Sequence, residues 1–354
     1  MGYEVDFLAV GDGEKSGDAI AIRYGNLFGT RKEQTVVVID GGDRPAGDAL
    51  VQHIVRHFGT DQVDIAILSH PDSDHASGLR TVVEKLRVDH LLMHRPWKHG
   101  TRIKELLDDR RVTVSGIKAK LEDGLEAAAE LEDIAQRRQV KLHEPFQGFT
   151  FQYGSPIAAT FHFLGPSKDY YESLLPKFRC TPGPARNILA AMLSGVKEAA
   201  AEWVFEAMNV ETLTDEGDTS AENDSSAILH LDIDGSGLLF TGDAGVLGMA
   251  GAIVYAREKN INLRNLSMFQ VPHHGSKRNI GPTILNCIGA ERAIISAAAK
   301  SSKHPSKRVT NALIRREIQP FSTKGKGWRH HKNAPERTGW ISATPIPFAE
   351  AFNE

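Results

Sequence analysis

Short runs of branched aliphatic and aromatic residues recur along the first third of the chain, each closed by Gly, Asp or Asn. Residues 3–10, 19–24 and 35–39 have this texture, which predicts strands separated by turns. Asp40-Gly41-Gly42-Asp43 reads as a sharp turn, and residues 49–58 have helical spacing. Residues 63–68 form the next apolar run; a polar loop, a helix over 76–86 and a strand over 88–93 follow. Between 101 and 140, helix formers and charge dominate, which predicts one or two helices with solvated faces. Strands return at 149–153 and 158–164, a mostly helical insert covers 170–207, and 211–224 is acidic and loop-like.

In the second half, 227–233 and 237–240 read as a hairpin around Asp234-Gly235-Ser236-Gly237. A helix over 246–257, strands over 266–271 and 292–296 and a helix over 306–318 complete the pattern. Strands and helices alternate in both halves, which predicts a layered α/β architecture of sheets covered by helices. Residues 1–354 are expected to form a single domain with helical inserts near 101–140 and 170–207 and a basic C-terminal segment at 322–338.

A hydrophobic share of 41% and a charged share of 25% describe a globular chain with ample core material. The formal charge of -3 leaves any nucleic-acid contact to a local basic patch. The first residues have neither a basic n-region nor a long apolar core, and no apolar run is long enough for a bilayer. No secretory signal and no membrane partner are therefore expected. Two cysteines, Cys180 and Cys287, argue against a disulfide scaffold or a cysteine-rich zinc site and point to a reducing, cytoplasmic setting. Any metal must then be held by His and carboxylate.

The stretch Ser69-His70-Pro71-Asp72-Ser73-Asp74-His75 packs four metal-capable side chains into a loop after the 63–68 strand. Asp243, in Thr241-Gly242-Asp243, and the pair His273-His274 likewise follow apolar runs directly. Each is weak alone. Together they are what strands of neighbouring sheets would deliver to one edge.

In order and spacing, His70-x-Asp72-x-Asp74-His75, Thr241-Gly242-Asp243 and His273-His274-Gly275-Ser276 resemble the metallo-β-lactamase superfamily. Gly17-Asp18-Ala19, Ile39-Asp40-Gly41-Gly42, Asn223-Asp224-Ser225-Ser226 and His304-Pro305 bring the chain nearest to the soluble hydrolase domain of ComEC-type DNA-uptake proteins. The resemblance implies a four-layer αβ/βα sandwich with two divalent metal ions at one edge. It implies His70 and Asp72 as ligands of one ion and Asp74, His75 and His274 as ligands of the other. Asp243 would bridge them, and His273 would stand beside the ions or face substrate. Two departures change the expected chemistry. Asp72 stands where the family usually has His, so the site tilts toward manganese, magnesium or iron, with zinc still able to bind. The family's middle histidine is absent, which leaves Glu222 or Asp224 as substitutes or one site weakly held.

Such a site implies a metal-dependent hydrolase in which a metal-bridged hydroxide attacks a phosphodiester of nucleic acid or a nucleotide. Asp74, His273 and His304 are the candidate catalytic residues. His304 lies in the basic loop Lys300-Ser301-Ser302-Lys303-His304 and could act as general acid or phosphate contact. Lys324-Gly325-Lys326-Gly327-Trp328-Arg329-His330-His331-Lys332 interleaves cations and aromatics as single-stranded DNA or RNA binders do. The alternatives are an acyl hydrolase for lactones, thioesters or β-lactams, and a non-catalytic binding module with an incomplete metal site.

Overall fold

The valines of 36–38 show how the core is arranged. Val36 and Val38 enter one apolar cluster, while Val37 and Ile39 enter another. Both faces of this strand are buried, so it reads as a continuous apolar run without polar alternation. The computed structural model describes residues 1–109, 111–155, 158–182 and 212–350. Among them, fourteen strands form two seven-stranded sheets.

The first sheet holds β1 (Gly2–Phe7), β2 (Ala19–Gly25), β3 (Gln34–Gly41), β4 (Gln62–Ile67), β5 (Arg87–Leu92) and β6 (Lys141–His143) in chain order. The second holds β7 (Thr150–Tyr153), β8 (Ala159–Gly165), β9 (Ile228–Ile233), β10 (Ser236–Phe240), β11 (Leu266–Gln270), β12 (Arg292–Ile295) and β13 (Gln319–Ser322). The last strand, β14 (Trp328–Lys332), returns to the first sheet and pairs antiparallel with β1. Asp234 (φ 54) and Gly235 (φ 75) alone make the hairpin turn between β9 and β10. Positive φ at both central residues is the tight turn that matches strand twist, so Ser236 already belongs to β10.

Three apolar layers hold the sandwich together. Phe7, Tyr24, Phe161, Phe163 and Phe240 meet between the sheets. On the outer face of the first sheet lie α1 (Arg44–His53), α2 (Ser73–Lys85), α3 (Gly100–Leu106), α4 (Val114–Gly124) and α5 (Glu126–Arg137). Helices Val246–Glu258, Pro282–Cys287 and Lys307–Ile314 cover the second sheet. The result is the four-layer α/β metallo-β-lactamase sandwich. Among the described residues, no helix is long and apolar enough to cross a membrane.

Several expectations change in detail. The 101–140 region holds three helices, and their faces are not purely solvated, because Ile103, Ile117, Leu121 and Leu131 join the core under α2. Of the 170–207 insert, Lys168–Leu174 is helical, and residues 183–207 lie outside the described residues. The basic C-terminal segment contains a strand whose aromatics point inward. Trp328 and His330 are buried, the former against Phe7 and the latter in hydrogen-bond contact with Tyr3. Arg329 is tied to Glu4 and is not free for a phosphate.

That tie belongs to a buried charge network on the outer face of β1. Glu4, 0% exposed, accepts from Arg23 Nε at 2.7 Å and Arg329 Nε at 2.9 Å and pairs with Arg337. Asp6 accepts from Arg337 at 2.7 Å and contacts His53 Nε2 at 2.9 Å. Removing one partner of such a network leaves an uncompensated buried charge, at a cost of about 3–5 kcal/mol. Glu4→Gln should therefore lower unfolding free energy by about that amount in urea denaturation. A loss under about 1 kcal/mol, the range of exposed pairs, would show that the network does not hold the C-terminal strand in place.

Candidate metal centre

The site is assembled where β2 begins and where β3, β4, β10 and β11 end. After β4 the chain turns through Ser69 to Pro71, and α2 begins at Ser73, with Asp72 as its N-cap residue in extended conformation. Asp74 and His75 therefore lie in the first helical turn, not in a loop as expected. The Asp72 carbonyl accepts from His75 and Ala76, and the acid at Asp74 suits the positive end of a helix.

Asp40, at the end of β3, orients this segment. Its Oδ1 accepts the Ser69 backbone N–H at 2.8 Å. Its Oδ2 accepts the Ser69 hydroxyl at 2.6 Å and faces His75 Nδ1 at 2.8 Å. The Ser69 hydroxyl has one proton and gives it to Asp40, so the 3.0 Å contact to His70 Nδ1 has His70 donating. Both rings are thereby held with Nε2 turned away from Asp40.

The second half of the site comes from the other sheet. Gly242 (φ 51) permits the turn after β10, and a Cβ there would stand 2.7 Å from the Ser69 Cβ. The Asp243 backbone N–H donates to the Ser226 hydroxyl oxygen, 3.1 Å away. His273 (φ 47) and His274 (φ 56) are both left-handed, a conformation that costs non-glycine residues of order 1 kcal/mol each. The His273 N–H donates to the Gly242 carbonyl at 3.1 Å, joining the two loops. Asn279 donates through Nδ2 to the Asp243 carbonyl at 2.9 Å, so its Oδ1 accepts from His273 Nδ1 at 2.8 Å.

These supports aim four imidazoles at one carboxylate oxygen. Asp243 Oδ2 lies 3.9 Å from His70 Nε2, 3.6 Å from His75 Nε2, 3.7 Å from His273 Nε2 and 3.7 Å from His274 Nε2. All exceed hydrogen-bond length. Two donors about 2.0–2.2 Å from a shared tetrahedral ion stand about 3.4 Å apart, close to what is seen. His70 Nε2, His75 Nε2, Asp243 Oδ1 and Asp18 Oδ1 are all buried without a hydrogen-bond partner. Buried polar atoms rarely go unsatisfied, so these four fit cations that complete them. The donor atoms of His70, His75 and Asp243 lie within 4.8 Å of one another, as do those of Asp74, His75 and His274.

Electrostatics agrees. Burial would raise the Asp243 carboxyl, yet the imidazoles of His274, His273 and His75 hold it well below the usual carboxylate range. Burial acts against protonation of His75, but Asp243 and Asp40 push it well above the ordinary imidazole value. For His274 burial dominates and brings it down to about 3. Burial lifts the Asp18 carboxyl to about 7, opposed by His75 and aided by Asp243 and Asp40.

The remaining expected residues fall around this cluster. Asp72 Oδ2 is 3.9 Å from His70 Nε2, while its Oδ1 pairs with Arg179 at 2.8 Å. His273, with its side chain 30% exposed, reaches Asp243 as closely as the buried His274 does, so the two histidines are not divided into ligand and bystander by distance. The His304 ring is 5.7 Å from that of His273 and 6.1 Å from that of His274. Gly275 (φ 77) lets the His-His turn lie against Pro305, and the Ser306 N–H donates to the Gly275 carbonyl. Neither Glu222 nor Asp224 joins the grouped donors. Glu222 accepts the Arg179 N–H at 2.7 Å, and Asp224 accepts the Gly245 N–H at 3.0 Å. Asp18 and Asp40 stand in the Gly17-Asp18-Ala19 and Ile39-Asp40-Gly41-Gly42 motifs but have no role assigned from sequence, and Gln270 and Asn279 carry no sequence signal.

Residues 25–139 match the sequence model of the metallo-beta-lactamase superfamily. Comparison with curated proteins found no match. Among solved structures, a diphosphatase of the PhnP family is 11% identical, covering 94% of this chain and 98% of its own, with a TM-score of 0.44. The metallo-beta-lactamase fold protein YhfI from Bacillus subtilis is 8% identical, covering 93% and 100%, with a TM-score of 0.45. CmlA, a diiron beta-hydroxylase from Streptomyces venezuelae, is 10% identical, covering 93% and 54%, with a TM-score of 0.45.

Groups that orient metal-binding histidines typically contribute 10–100-fold to affinity, and Asp40 orients two. Asp40→Ala should weaken divalent-metal binding by about that factor in competition with a chromogenic chelator, with the circular dichroism spectrum retained. Affinity within twofold of the parent would remove Asp40 from this role.

Proposed function

We propose that the chain, acting as one unit over residues 1–354, is a metal-dependent hydrolase of phosphodiester bonds in DNA, RNA or nucleotides. The observation that carries the substrate class is the lysine rim beside the histidines. Lys300 and Lys303 are exposed in the loop that carries His304. Lys324 Nζ donates to the Ser301 carbonyl at 3.3 Å, which brings the turn of Lys324 and Lys326 onto the same loop. The Lys300 N–H donates to the Gly13 carbonyl, adding the facing loop of Asp12, Glu14 and Lys15. Exposed cations concentrated beside a site raise the local concentration of an anionic substrate.

Bound divalent ions would supply Lewis acidity and water made acidic enough to attack at neutral pH, its pKa falling from about 15.7 to about 7. In this reading His70, Asp72, Asp74, His75, Asp243 and His274 hold two such ions. His304 holds the proton that a leaving oxygen requires, and its ring stands beside His273 on the rim side of the cluster. Asp74 and His273, both only part-buried, face the reacting groups. The donor set, three imidazoles and three carboxylates, supports manganese or zinc as the metal. Motif order supports kinship with the soluble hydrolase domain of ComEC-type proteins. Cys180 and Cys287 are both free thiols, which supports a cytoplasmic setting.

Bis-p-nitrophenyl phosphate, a p-nitrophenyl ester and a β-lactam, each assayed with zinc, manganese and magnesium, separate the possible chemistries. The phosphodiester should be turned over fastest, and Asp243→Asn should reduce that rate more than about a hundredfold. Faster hydrolysis of the ester or lactam would make the protein an acyl hydrolase, and no turnover with any metal would leave a binding module.

A further inference from the structure

Asp18 precedes β2, far from every ligand motif in sequence, yet it lies in the centre of the site. It is 1% exposed. Gln270 fixes its orientation: Gln270 Oε1 accepts the backbone N–H groups of Thr241 and Gly242 at 3.0 and 3.3 Å. The Gln270 amide nitrogen must therefore face the other way, and it donates to Asp18 Oδ2 at 2.7 Å. Asp18 Oδ1 is left buried with no hydrogen-bond partner. Donor atoms of Asp18, Asp243 and His274 lie within 4.8 Å of one another, and so do those of Asp18, Asp40 and His75.

We propose that Asp18 is a metal ligand, its Oδ1 completing the ion position shared by Asp243 and His274. The inference rests on the metal-centre reading above and goes beyond its expected ligand set. A buried carboxyl oxygen left unsatisfied is costly, and a bound cation removes that cost. The ion beside Asp18 is then held by a carboxylate-rich set, which favours Mn²⁺ over Zn²⁺ relative to a site of three imidazoles.

Equilibrium binding of Mn²⁺ and of Zn²⁺ to the full chain, followed by titration calorimetry, tests this independently of turnover. Asp18→Asn keeps the Gln270 hydrogen bond and the side-chain shape. It should weaken one of the two Mn²⁺ sites at least tenfold, weaken Zn²⁺ less, and leave the metal-free melting temperature unchanged or higher. Unchanged affinity at both sites would overturn the proposal, as would a lowered metal-free melting temperature with full metal affinity, which marks a purely structural role. Anomalous diffraction from crystals of the unmutated chain grown with Mn²⁺ decides the matter if the variant does not fold. Asp18 Oδ1 within bonding distance of an ion supports the assignment, and an ion bound without it refutes it. Loss of phosphodiesterase activity as a hypothesis would leave this binding result untouched.

Discussion

The interaction on which this structure depends is the meeting of buried imidazoles and carboxylates that do not satisfy one another. Four Nε2 atoms stand just beyond hydrogen-bond distance of Asp243 Oδ2. Leaving such groups buried and incomplete is expensive, and their neighbours are arranged to keep them so. Asp40 takes the Nδ1 side of His75 and, through Ser69, of His70. Asn279 does the same for His273. Two adjacent residues, His273 and His274, accept left-handed backbone to face inward. Strain of this kind persists only where surrounding contacts over-determine it.

The site also stitches the two sheets together. Asp18, Asp40 and His70 come from the first sheet's strand ends and His75 from the first turn of α2, and Asp243, His273 and His274 come from the second sheet's strand ends. The Ala227 N–H donates to the Ser69 carbonyl, and Gln270 reaches across to Asp18. Cations seated here would bridge the halves of the sandwich, so metal binding adds to folding stability by mass action. The lysine loop and His304 hang on the same scaffold through Gly275 and Ser306. The lysine loop, His304 and the histidine cluster are thereby held at the same edge of the sandwich.

Much of this was legible in the chain. The doubly buried strands announce themselves as apolar runs, and the three His/Asp motifs sit where those runs stop. What stayed hidden depends on long-range pairing. Arg329 reads as part of a solvated basic tail because its partner Glu4 lies 325 residues away. Asp18 stands in the Gly17-Asp18-Ala19 motif, but its role is hidden until Gln270, 252 residues later, fixes its orientation. The short strand Lys141–His143 has too few residues to show a period. The start of α2 at Ser73 was hidden because its first turn carries Asp74 and His75 instead of the usual helical pattern. Glu222 was a reasonable substitute ligand by position, but the Arg179 backbone occupies it.

Metal stoichiometry tests the central claim most directly. After equilibrium dialysis against micromolar Mn²⁺ or Zn²⁺, the intact chain should retain two ions per molecule, and a His70→Ala, His75→Ala double variant that remains folded should retain fewer. A chain that binds no divalent ion under these conditions, or a double variant that binds as many as the parent, would contradict the account.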